Sequence, residues 1–297
     1  MIDQLSVIIP ALNEEESLPF LLDELYENLD KTGISYEILI IDDGSKLSVS
    51  SIVEENKNLK IYRNKFTKGQ SQALLLGIKN SNYEYIAILD ADGQNPPYEI
   101  INLLNAFNES EGKYDVIAGY RKDRKDKFFR SLYSKIGNFL IKLLLNSKIK
   151  DLGCSLKLFR KEIMQDINFT GDIHRVILTL FEYRSYKIKQ IPVDHKERVY
   201  GETKYGLGRL IPVIVDTFII YLTEGFTKTA RYSLGKLGIY FGSLSILLFI
   251  FSLLQKYIQS IFVHKNPIFL IGMIFLFLSI QLFVTSIITF FTENKSS

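Results

Sequence analysis

The chain has 297 residues, of which 47% are hydrophobic and 23% charged, a globular rather than a disordered balance. Its net charge of +3 is too mild for a nucleic-acid binder and fits a protein near anionic lipid. Cys154 is the single cysteine, so an internal disulfide is excluded, and His174, His195 and His264 lie too far apart for a zinc pattern.

The opening MIDQLSVIIP has no basic stretch ahead of its apolar run. No signal peptide is expected, and the main domain is expected in the cytoplasm, where the sequons at Asn108 and Asn168 carry no meaning. Leu5 to Pro10 reads as a strand. Glu14 to Leu29 has helical spacing, with acidic residues in its first turn where the helix dipole favours them. Tyr36 to Gly44 is a second strand, followed by a short helix, and Leu59 to Asn64 a third. Gly69 to Asn80 is helical, Tyr83 to Asp90 is a fourth strand, Pro96 and Pro97 start a helix running to about Asn108, and Tyr114 to Arg121 is a fifth strand. Alternating strands and helices imply an α/β domain with a mostly parallel sheet, whose ligands bind beyond the carboxyl ends of the strands. The unusual residues sit at those ends: Pro10 to Asn13, Asp42 and Asp43, Asn64, Asp90 and Asp92, and Arg121.

Phe128 to Asn146 carries a narrow polar stripe (Ser131, Lys135, Asn138, Lys142, Asn146) in an otherwise apolar helix. It reads equally as a core helix or as an amphipathic helix in the membrane interface. Leu207 to Leu222 raises the same choice, and Pro212 and Asp216 argue against its spanning a bilayer. Ile188 to His195 reads as a strand ahead of it. At the end, 237–255 and about 267–291 are free of charge and reach the roughly 20 residues of a spanning helix. Arg209, Lys228, Arg231 and Lys236 precede the first span, and Lys256 and Lys265 lie between the two, so the N-terminal domain and both termini are expected inside. The expected organisation is a catalytic domain over 1–206, a second interfacial helix and linker over 207–232, and a membrane anchor over 233–297.

Two aspartates one residue apart close the fourth strand in AILDADGQ. If the extended geometry continues, Asp90 and Asp92 face one side with Gln94 beyond, and hard oxygen ligands of this kind suit Mg2+ or Mn2+ holding a diphosphate. The plainer reading is an Asp-Gly turn, which a lone D-x-D would favour.

The motif is not alone. VIIPALNEEESL, ILIIDDGS, KGQSQALLLGI after Asn64, and ILDADGQNPP follow one another at spacings that resemble the family 2 glycosyltransferases, over roughly Leu5 to Tyr120. DIHRVILTL and IPVDHKERVYGETKYGLGRL resemble the branch containing dolichyl-phosphate mannosyltransferases and bactoprenol glucosyltransferases, and DLGCSLKLFR resembles its aminoarabinose-type members. The resemblance implies a GT-A fold and inverting transfer of a hexose or pentose from a GDP- or UDP-linked sugar to undecaprenyl or dolichyl phosphate, with a divalent metal. By position, Pro10, Asn13, Glu14, Asp43 and Asp90 would serve the nucleotide, and Asp92 and Gln94 the metal. Arg121, Arg130, Ser134, Arg198 and Lys204 would line the acceptor-phosphate site, and Asp151 would be a base or an orienting group. Lys46 and Leu47 after Ser45, and Gly153 to Ser155, depart from the family pattern and obscure the sugar. A processive polysaccharide synthase would carry Q-x-x-R-W, but the chain has no Trp; a kinase or NTPase would carry a P-loop, and none occurs. A nucleotidyltransferase would need no spans. A membrane-anchored nucleotide-sugar-binding scaffold, a different membrane acceptor and a homo-oligomer stay open.

Overall fold

The computed structural model describes residues 1–122, 147–165, 167, 173–196, 226–259 and 262–293. The chain falls into two compact units, Met1–Ile220 and Tyr221–Ser297.

The first unit is built on a seven-stranded sheet among the described residues: β1 (Gln4–Ala11), β2 (Ser35–Asp42), β3 (Leu59–Arg63), β4 (Tyr85–Ile88), β5 (Val116–Arg121), β6 (Lys157–Arg160) and β7 (Ile188–Val193), in the order β3-β2-β1-β4-β6-β5-β7. Strands β1 to β4 are parallel to one another, and β5 is parallel to β7. The exception is β6, which runs antiparallel to both β4 and β5 and wedges between them. The pattern around it, Leu156, Lys157, Leu158, Phe159, is too short and too uniformly apolar to declare a strand, and its one lysine argues against burial.

Helices cover both faces. In α1 (Leu18–Asp30), Leu18, Leu21, Leu22, Leu25 and Leu29 recur at helical spacing and are buried. They share one core with Leu103, Leu104 and Phe107 of α3 (Tyr98–Asn108) and with Val7, Ile9, Ile38 and Ile40 of the sheet. The alternate residues Ile8 and Ile41 meet α2 (Gln70–Asn80) on the other face, where a Cβ on Gly77 would collide with Ile8 Cγ2. The short α4 (Ile177–Tyr183) adds Phe181 against Phe159 of β6, ring centroids 5.6 Å apart.

Helix α1 starts at Leu18, not at Glu14. Pro19 suits a first helical turn, where its missing N–H costs nothing, so Glu14 to Glu16 belong to the preceding loop. Strand β4 ends at Ile88, short of Asp90.

In the second unit α5 (Phe226–Gln259) and α6 (Pro267–Glu293) form a hairpin. Windows of 25 and 22 residues are long and apolar enough to cross a membrane, with only 17% and 11% of their hydropathic stretches buried. A soluble core helix would hide such a surface. The helices approach closely where Gly238 and Gly272 meet Phe283 and Phe249. The segments 128–146 and 207–222 read as interfacial lie outside the described residues.

Candidate active site

The carboxyl ends of β1, β2 and β4 carry the residues singled out for the nucleotide. Pro10 pairs with Ile41 at the end of β1, and the loop beyond it turns through Asn13 in a left-handed conformation, φ +52°. Asn side chains tolerate this region because they bond their own surroundings. Here Ser45 Oγ accepts from Asn13 N at 3.0 Å, and Asn13 Oδ1 accepts from Lys46 N at 2.8 Å, so the loops after β1 and β2 are laced together. Glu14 lies in the first loop; its carbonyl accepts from Leu18 N at 3.1 Å. The buried Ser17 donates to the Ala91 carbonyl at 2.7 Å and ties that loop to the one after β4.

The paired aspartates at the end of β2 divide their work. Asp42, wholly buried, accepts from Ser45 N at 2.8 Å and Val49 N at 3.2 Å and pairs with Arg63 at 3.0 Å. Asp43 accepts from Asn64 Nδ2 at 2.8 Å, Lys68 N at 3.0 Å and Gly69 N at 2.8 Å, which pins the loop that enters α2. Gly44 makes this possible. Its φ is +81°, and a Cβ there would meet Thr67 N at 3.0 Å.

Past β4 the chain turns at once, with Gly93 at φ +70° and Gln94 N donating to Asp92 Oδ1 at 3.1 Å. The two aspartates thus sit on a turn and not on an extended strand, yet they remain close enough to act on one another. Burial first, and then repulsion by Asp92, pushes the Asp90 carboxyl up to about 6. Gln70 Nε2, at the start of α2, donates to Asp90 Oδ1 at 2.8 Å. Ser155, which also bonds Asp90, accepts from Asn95 Nδ2 at 2.8 Å. Beneath them lies Lys157, buried in β6 and donating to the Cys154 carbonyl at 2.6 Å. Burial lowers its pKa, so the attraction of Asp90 offsets only part of the desolvation of either group.

Gln94 reaches the other way. Its carbonyl accepts from Lys196 N at 2.8 Å, and its Nε2 approaches the Lys196 carbonyl at 3.4 Å, just past β7.

Arg121 ends β5. Its guanidinium grips Asp151 through Nε to Oδ2 at 2.7 Å and Nη2 to Oδ1 at 2.9 Å, in a mostly buried pair. Asp151 also accepts from Arg121 N at 3.2 Å and Gly153 N at 3.0 Å. Both Asp151 oxygens are thus engaged, and they hold the Arg121 guanidinium in place. Gly153 leaves room for the guanidinium: a Cβ would stand 2.7 Å from Arg121 Nη2. Because Ile88, Lys157 and Ala118 are register partners across β4, β6 and β5, the Asp90 turn, the Asp151–Lys157 segment and Arg121 share one edge of the sheet. Arg130, Ser134, Arg198 and Lys204 lie outside the described residues.

Gln70 and Lys157 were not singled out from the sequence, and Gly153 and Ser155 stood out there only as a departure from the family pattern. The signal available for Lys157 was a lone charge within an apolar run.

The sequence pattern described as Glycosyl transferase family 2 matches residues 6–167, the stretch that builds this edge. The chain belongs to glycosyl transferase family 2. Within the family it is 29% identical over 293 residues to a dodecaprenyl-phosphate galacturonate synthase of Rhizobium johnstonii, covering 96% of this chain and 86% of that one. Mannosyl-3-phosphoglycerate synthase of Rubrobacter xylanophilus has the same fold, at a TM-score of 0.61 and 14% identity over 75% of this chain and 74% of that one. So does glucosyl-3-phosphoglycerate synthase of Mycobacterium tuberculosis, in a complex with Mn2+, UDP and glucosyl-3-phosphoglycerate, at 0.58 and 15% over 75% and 80%. As a family 2 member, the chain is a glycosyltransferase with a GT-A-like sheet.

Proposed function

We propose that this glycosyltransferase moves a sugar from a nucleotide sugar to a polyprenyl phosphate at a membrane surface, with its catalytic domain over 1–206 and both termini in the cytoplasm. The observation that carries the reading is the pairing, on one sheet edge, of a carboxylate turn (Asp90, Asp92) with an arginine braced by a carboxylate (Arg121, Asp151). One suits a metal–diphosphate and the other an anionic acceptor. The relative named as a dodecaprenyl-phosphate galacturonate synthase supports the acceptor class, and α5 and α6 supply helices long enough to hold the enzyme where such a lipid resides.

The donor set fits Mg2+ or Mn2+. It consists of hard oxygens from Asp92 and Gln94, and the crowding of the neighbouring Asp90 by Asp92 leaves the turn short of positive charge. Among the described residues no cluster of three or more acidic, His or Cys side chains could hold a metal without help. That suits an ion which keeps water and takes substrate phosphates as ligands. When bound, the ion neutralises the leaving diphosphate.

The residues do the rest by position and charge. Asp43 fixes the Lys68–Gly69 loop beside the nucleotide, and Asn13 holds the loops after β1 and β2 in register. Arg121 orients the acceptor phosphate, whose oxygen displaces the nucleotide from the anomeric carbon with inversion. The acceptor is already an anion, so no strong base is needed, in keeping with an Asp151 spent on Arg121. Arg130, Ser134, Arg198 and Lys204 complete the proposed acceptor site.

The test is transfer of radiolabel from a panel of UDP- and GDP-sugars to undecaprenyl or dolichyl phosphate in membranes. Labelled lipid is expected with one donor, and Asp92→Asn should slow its formation by roughly a hundredfold. Donor binding with no labelled lipid under any acceptor would instead make the protein a nucleotide-sugar scaffold.

A further inference from the structure

Inside a hydrocarbon layer a polar side chain needs a protein partner, because water is not there to serve it. Most polar side chains described in the α5–α6 hairpin find theirs within it. Ser245 Oγ donates to the Gly272 carbonyl and Ser279 Oγ to the Gly238 carbonyl, each at 2.8 Å. Asn266 Nδ2 donates to Ser252 Oγ at 3.1 Å and Gln255 Oε1 at 2.8 Å. Thr285 Oγ1 returns to the Gln281 carbonyl at 2.8 Å.

Gln281 differs. Its side chain is exposed, and among the described residues its amide makes no hydrogen bond. It stands near the middle of α6, which runs from Pro267 to Glu293. Within the apolar stretch Pro267–Ile288 it lies, at the rise of an α-helix, about 21 Å from one end and about 10 Å from the other, inside the hydrocarbon depth of a bilayer. Ser279, which meets α5, lies roughly 200° around the helix. On the Gln281 face, Ile274, Phe277, Val284 and Ile288 are exposed by 60%, 68%, 50% and 57%. Positions 274, 277, 281, 284 and 288 follow the alternating three–four spacing of a seam between two helices wound left-handed about each other.

We propose that this seam joins two copies of the chain, α6 against α6, with Gln281 of one copy hydrogen-bonded to Gln281 of the other. A primary amide carries both donors and an acceptor, so across a twofold axis it is its own complement. An unrelated partner would have to bring a polar group of its own to the same depth, whereas a second copy brings it by symmetry. A single polar residue in the centre of an apolar seam also fixes the register of the pair. The inference rests on α5 and α6 spanning the bilayer, as proposed above, and not on the reaction catalysed.

The experiment uses the full chain in vesicles, with cysteines introduced singly and the parent, whose Cys154 is buried, as the blank. Mild oxidation is expected to link Ile274→Cys and Ile288→Cys into dimers, and to link Ile287→Cys, at the same depth but about 100° away, far less. Gln281→Leu should weaken self-association by roughly threefold to tenfold, the size of interhelical hydrogen bonds in bilayers, and Gln281→Asn should retain part of it. Equal linking at 287 and 288, an unaltered association of Gln281→Leu, a membrane-held monomer, or links to a different protein would each overturn the seam. Release of the chain from membranes by alkaline carbonate alone would refute the spanning reading, and the seam with it.

Discussion

A methyl group at Gly153 would press on Arg121 Nη2 from 2.7 Å, and the guanidinium would have to leave its grip on Asp151. Gly153→Ala is therefore expected to lower kcat by about tenfold or more while the affinity for the nucleotide sugar stays near that of the parent, because misplacement of a positioned charge costs rate before it costs donor binding. Isothermal titration with donor, beside turnover, separates the two; a joint loss would mean that the Asp151–Ser155 segment shapes the donor site as well. Asp90 offers a second handle. Its carboxyl titrates near 6 in the folded chain against an ordinary 3.8, so between those values the unfolded chain binds fewer protons and stability falls as the pH rises. Asp90→Asn removes that charge. Without metal or nucleotide the variant should melt above the parent at pH 7.5, and the difference should close by about pH 4 as the parent's carboxyl protonates. A difference that stays constant across the range would place the effect in packing.

At the scale of elements, α2 is set against the sheet by an absent side chain. Gly77→Val would drive two methyls into Ile8 and Ile41, and a loss of roughly 1–3 kcal/mol is expected from overpacking, read as a lower Tm in detergent. Several elements were legible from the residues alone: β1 and β2 as dense apolar runs, α1 by its helical spacing, α3 by the Pro96–Pro97 pair that starts it, and α5 and α6 by length without charge. Strand β6 was not, because it is four residues long and its role is defined by neighbours distant in sequence. The same holds within the site. Asp43, Asp90, Asp92 and Arg121 stood out as charges at strand ends, whereas Gln70, Ser155 and Lys157 matter only through contacts made across the sheet edge. The start of α1 went astray because acidic residues suit a first turn on propensity, while Pro19 and the bond from Ser17 to Ala91 decide the matter locally.

For the molecule as a whole, the surplus of Lys and Arg ahead of the first charge-free span, at 237–255, predicts its orientation. A tag placed between Lys256 and Lys265 should be labelled in intact cells by an impermeant reagent, and tags at either terminus should be labelled only after permeabilisation. The reverse pattern would place the catalytic domain on the other side of the membrane. The sheet also has a history in time. Strand β4 has no pairing with β5, which the ribosome delivers next; its neighbour on that side is β6, at residues 157–160, long after β4 at 85–88 has emerged. Throughout that interval Ile86 and Ile88 form part of an open apolar edge, able to recruit any passing strand. A nascent chain halted with β4 clear of the ribosome and β6 not yet out should thus bind chaperones avidly, and this dependence should vanish once residue 160 has cleared the ribosome.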